Sequence, residues 1–157
     1  MAKTHVRRLP VAVEAGSDYT SVFELAPAPI ASPERWARAV FEGAPTAYRL
    51  ALRVGWRLGL RLRLAPAGDR GAVAGWTLTP PDPRAAALTS DGPLLTARNQ
   101  VDLLDGSLTW TTVVGFRNRL GRVVWTLAAP IHHLTLPWLL RRAARRIMSV
   151  EEDPHGR

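Results

Sequence analysis

The chain contains no cysteine. That excludes disulfides, thiol nucleophiles and cysteine-ligated zinc or iron–sulfur centres, and it fits a reducing compartment. Lysine occurs once, at Lys3, so the net charge of +8 rests on arginine. Established catalytic signatures are also missing: there is no serine elbow, no phosphate-binding glycine loop and no catalytic carboxylate pair. Gly55 and Gly59 sit inside a helical pattern rather than in such a loop. The histidines lack the His-x-x-x-His or His-Glu-x-x-His spacing of helical metal ligands. Neither a metal nor a cofactor is therefore expected. The opening MAKTHVRRLP has no apolar run of the signal-peptide kind, and a cytoplasmic location is expected. The abundance of Arg, Ala, Leu, Gly and Pro is of the kind that GC-rich bacterial genes produce.

What is present is sufficient for one domain. A chain of 157 residues can bury about two-thirds of its unfolded surface. Residues 1–10 read as a flexible arm, 11–148 as a single domain and 149–157 as a disordered tail. Six tryptophans point to an aromatic-lined interior or an interface, or to plain core packing.

Tyr19, Ser21, Phe23 and Leu25 alternate with Thr20, Val22 and Glu24, the pattern of a strand over Asp18–Ala26. Ser32-Pro33-Glu34 opens a helix: serine caps the free N–H groups, proline needs no donor there, and the carboxylate suits the positive end. A second helix is expected from Thr46 to Leu60, with Ala47, Leu50, Ala51, Val54 and Leu58 as its buried face. Arg49, Arg53, Arg57 and Arg61 form a separate stripe, either a solvated face or a docking surface for an anionic partner or lipid. Short strands follow over Ala72–Thr79, Arg84–Ser90, Leu94–Leu104 and Ser107–Arg117, with a hairpin at Asp105-Gly106. The last element, from Asn118 to Met148, is a long helix that is apolar on two sides. Leu120, Val124, Leu127, Ile131, Leu134 and Trp138 mark one side; Trp125, Ala129, His132, Leu136 and Leu140 mark the other. Such a helix is buried, at an interface or in a membrane. Pro130 and Pro137 are expected to kink or divide it.

The order of strand, two helices, antiparallel strands and long final helix resembles the helix-grip fold of the START/Bet v 1-like (SRPBCC) superfamily. DYTSVFEL, ERWARAVFEGAP and VVWTLAAPIHHLTLPWLLRRA, about a quarter of the chain, are similar to the actinobacterial family DUF2867. The resemblance implies an α+β helix-grip domain, a curved antiparallel sheet around the C-terminal helix. Superfamily members usually have seven strands. Five or six are counted here, and another can lie in LRLRL or in the N-terminal arm. The resemblance also implies an apolar cavity between sheet and helix that takes a hydrophobic or aromatic small molecule, or the active site of a polyketide cyclase or dehydratase-like enzyme.

In such a cavity His132 and His133 are the candidate acid/base residues. Neighbours on a helix point about 100° apart, so both cannot face one cavity. One can instead be solvated and the other simply packed. Trp76, Arg98, Asn99, Asp102, Trp110, Thr112, Phe116 and Trp125 are the candidate ligand-binding residues, a few polar groups among apolar ones. Arg98 and Asp102 share a strand face and can pair with each other, or lie in exposed cross-strand ion pairs. Asp18 or Glu24, if turned inward, would be a desolvated base. A third possibility is an interaction protein, dimeric through the final helix or associated with a membrane. Nucleic acid is not expected as a partner, because no recognition motif accompanies the arginines.

Overall fold

The computed structural model describes residues 3–79 and 82–152. Strands β1 (His5–Leu9) and β2 (Tyr19–Ala26) lead into helices α1 (Pro33–Phe41) and α2 (Thr46–Val54). α2 runs on as a π-helical turn, Gly55–Gly59. Then come β3 (Ala72–Val73), β4 (Trp76–Leu78), β5 (Ala85–Asp91), β6 (Leu95–Leu104), β7 (Ser107–Phe116) and helix α3 (Arg119–Glu151). The seven strands form one antiparallel sheet in the order β1-β2-β7-β6-β5-β4-β3. A curved sheet gripping one long C-terminal helix is the expected α+β helix-grip layout.

Local chemistry sets these elements. Ser32 Oγ accepts from the Arg35 N–H and Asn118 Oδ1 from the Gly121 N–H, so both helix starts are capped by side chains. Asp105 and Gly106, with φ of 49° and 76°, make the two-residue turn that joins β6 to β7. Alternation then puts Phe23, Leu25, Leu95, Val101, Leu108 and Val114 into one buried layer. α3 covers that layer with Trp125, Leu136, Leu139, Leu140, Ala143 and Ile147.

Several expectations are corrected. The segment read as a flexible arm carries β1, paired from His5↔Ala26 to Leu9↔Val22; with the division of Ala72–Thr79 into two strands it brings the sheet to seven. An edge strand tolerates charge because its outer side meets water; Arg7 there pairs with Glu24 at 2.8 Å. LRLRL stays irregular. Ala72–Thr79 is two short strands around Ala74-Gly75, where φ is 51° and 92°. The expected buried face of α2 is exposed throughout. The helix touches the core instead through the half-buried Tyr48, Leu52 and Trp56. Its periodicity identified a helix but not the side on which neighbours lie. α3 is continuous through Pro130 and Pro137; two isolated missing donors do not end a helix that long once it lies on a sheet. It extends to Glu151, so the tail expected at 149–157 begins as helix, and residues 153–157 lie outside the described residues.

Candidate ligand cavity

Between the sheet and α3 lies a cavity of about 620 Å³, within the range of small-molecule sites. Ala97 and Asn99 of β6, Thr112 and Val114 of β7, and Trp76 of β4 line its sheet side. Val124, Trp125, Ala128, Ile131, Thr135 and Leu139 of α3 line the other. Phe41 and Trp56 close one end, in an aromatic cluster with Trp76 and Trp110. Trp110 is fully buried beneath this wall. The opening runs between α2 and α3. Ala51, Gly55 and Gly59 lie on one lip, and Leu127 and Ile131, both largely exposed, on the other.

A row of polar side chains crosses the inner face of the sheet, and its Asn99 and Thr112 line the cavity. Ser21, Thr112 and Asn99 are register partners on β2, β7 and β6, and all three are buried. Asn99 Oδ1 accepts from Thr112 Oγ1 at 2.7 Å and from Trp110 Nε1 at 3.1 Å. With its oxygen doubly engaged, Asn99 has its amide NH₂ left for further bonding. Ser21 Oγ lies 3.4 Å from His132 Nε2, which ties the row to α3. The indole N–H groups of Trp76 and Trp125 are buried and have no partner among the described residues.

The two histidines diverge, as the helical angle requires. His132 lines the cavity. Its pKa is lowered from 6.5 to about 3, chiefly by desolvation, then by His133 and Arg8. It is therefore neutral at physiological pH. His133 turns aside and hydrogen-bonds the Tyr19 hydroxyl through Nε2. Desolvation, and then Arg8, lower its pKa too. Tyr19 packs edge-on against Trp125, 5.0 Å between ring centres.

The cavity thus gathers His132, Trp76, Asn99, Thr112 and Trp125 from the sequence-derived candidates. Trp110 supports the site from below through Asn99. Arg98 and Asp102 are misassigned. Even-numbered positions of β6 point to the outer face, where Arg98 pairs with Glu14 at 2.6 Å and Asp102 accepts from Gln100. Phe116 lies at the sheet end beneath the Arg122 guanidinium, outside the cavity lining. Asp18 accepts from the Phe116 N–H, and Glu24 pairs with Arg7, so neither is an inward base. Thr135 and Trp56, which line the cavity, and Ser21, which lies against His132 behind the lining, were missed as candidates. Alternation already placed Ser21 on the inner face, and that was the available signal.

The chain aligns over 99% of its length with all of CalU16 from Micromonospora echinospora, at 14% identity and a TM-score of 0.30. A protein of unknown function from Pseudomonas aeruginosa, PA94, described as a putative regulator, aligns over 82% of both chains at 14% identity and a TM-score of 0.25. Neither likeness carries a functional argument. No curated protein matches the chain. Residues 12–138 match the family described as protein of unknown function DUF2867, and because that match spans most of the sequence, the chain belongs to the DUF2867 family.

Proposed function

We propose that the protein binds a hydrophobic or aromatic small molecule between sheet and C-terminal helix, in the manner of START/Bet v 1-like proteins. The observation that carries this reading is a mostly apolar cavity of about 620 Å³ between sheet and helix, with Asn99, Thr112 and His132 as polar groups in its lining. A fitting ligand is apolar over most of its surface and carries an acceptor oxygen for the Asn99 amide. Neutral His132 adds a hydrogen-bonding group without a buried charge.

A polyketide cyclase or dehydratase-like activity with His132 or His133 as acid/base is less well supported. A base with a pKa of about 3 draws a proton weakly at neutral pH, and His133 is turned to Tyr19. His132 is better suited to orienting a ligand.

The test is fluorescence titration with N-phenyl-1-naphthylamine, an apolar probe. The wild type should enhance probe emission and quench its own tryptophans. Ala128→Phe, which fills the cavity from α3, should abolish both while keeping the native circular dichroism spectrum. Equal probe binding by a folded Ala128→Phe protein would refute the cavity as the site. Native mass spectrometry of protein purified from its own host would then identify the retained molecule.

A further inference from the structure

α3 is long and apolar enough to cross a membrane by length and composition, yet only 22% of its apolar stretch is buried within the chain. The uncovered part is localised. Leu127, Ile131 and Leu134 are 71%, 65% and 79% exposed, and the first two are also cavity lining. Across the opening, Leu50, Val54 and Leu58 of α2 and its π-helical extension are exposed as well. At 100° per residue, this aliphatic row lies between the lip residues Ala51 and Gly55 and the arginine row of Arg49, Arg53 and Arg57. Tyr48 and Trp138 meet at 5.0 Å, with the Arg142 guanidinium over Trp138, and tie the two helices together.

The two lips carry charge of one sign, while Glu42 and Asp69 line the groove on the arginine side of α2 with Arg49 and Arg53. The sequence from Gly43 to Gly68 contains no acidic residue, nor does that from Gly106 to Val150, and these stretches include both lips. Among the described residues, none of Arg49, Arg53, Arg57 and Arg61 pairs with a carboxylate.

We infer that the mouth of the cavity docks on an anionic lipid bilayer, its aliphatic ring entering the headgroup–acyl boundary and its arginines meeting lipid phosphates. Exposed leucines and isoleucines bordered by arginines that pair with no carboxylate among the described residues are what such a surface binds. A second copy fits less well, because a two-fold contact presents the same patch to itself and would set arginine against arginine. Nucleic acid has no use for aliphatic side chains at the centre of a patch; single strands are held by stacked aromatics. Because the cavity opens at the centre of the docked ring, an apolar molecule can pass between bilayer and cavity without crossing water. That passage rests on the ligand-binding reading; the docking does not.

The experiment is co-sedimentation of the full chain with vesicles of phosphatidylcholine alone and of phosphatidylcholine mixed with phosphatidylglycerol, each at low and high salt. Binding is expected on the mixed vesicles only, and it should weaken as salt screens the arginines. Arg49→Gln with Arg57→Gln should lower the partition coefficient by about tenfold or more. Leu58→Ser with Leu134→Ser, at exposed positions outside the cavity lining, should also release the protein from vesicles while N-phenyl-1-naphthylamine uptake stays unchanged. Ala128→Phe should still sediment, which separates failure of docking from failure of ligand binding. Absence of binding to mixed vesicles, or equal binding to both kinds, overturns the inference. So does light scattering that shows a stable dimer which the Leu58 and Leu134 changes dissociate.

Discussion

His132 Nε2 lies 3.4 Å from Ser21 Oγ, so the long helix is keyed to a strand 111 residues earlier at a point where an imidazole lines the cavity. That ring takes up a proton near pH 6.5 in the unfolded chain and near 3 in the folded one. Over that interval the unfolded state binds more protons. The contribution of His132 is thus fully present above pH 6.5 and declines as pH falls toward 3, by at most about 1.4 kcal/mol per pH unit. Melting temperature should fall between pH 7 and pH 5. His132→Gln should flatten that fall; an unchanged slope would exclude His132 as the group responsible.

Asn99 satisfies two donors with one oxygen. Asn99→Leu would leave the Trp110 indole N–H and the Thr112 hydroxyl without this acceptor in the buried floor. About 2–4 kcal/mol of stability should be lost, measurable by urea denaturation. Adding Thr112→Val should recover part of it by removing one orphaned donor. A double variant less stable than the single one would contradict this accounting.

Gly121 sets the first turn of α3 against β6. A Cβ there would stand 2.0 Å from the Leu94 carbonyl oxygen, a backbone atom with little freedom to move. Gly121→Ala should cost about 1–3 kcal/mol and lower the melting temperature accordingly. At Gly55, in a helical conformation with nothing near the added atom, alanine should stabilise by up to about 1 kcal/mol. Differential scanning calorimetry of the two variants should give shifts of opposite sign.

Arg98 on the outer sheet face is a control for the cavity. Its pair with Glu14 is partly exposed and worth no more than about 1 kcal/mol. Arg98→Gln should leave N-phenyl-1-naphthylamine affinity unchanged, whereas Asn99→Asp, which puts charge on the cavity floor, should weaken it. A marked loss of probe affinity in Arg98→Gln would move the site to the other face of the sheet.

Much of the architecture is legible along the chain because it depends on near neighbours. Ser32 and Asn118 cap helices with their own side chains, Asp105-Gly106 turns a hairpin, and two-residue alternation sorts β2, β6 and β7 into two faces. Alternation cannot by itself say which polar residues belong to a site. Arg98 and Asn99 are adjacent, yet one reaches solvent-side Glu14 and the other supports the cavity floor. Helical periodicity has the same limit. α2 has an aliphatic stripe and α3 has two apolar sides, but a stripe records only where apolar groups lie, not what stands opposite. Tertiary packing turned the stripe of α2 outward and covered one side of α3 with the sheet. It left the other side at the rim of a cavity. The sequence by itself determined the element types, their caps and the excess of arginine. Burial of each face was decided only when distant segments met, because burial is a property of contacts between elements and not of any one of them.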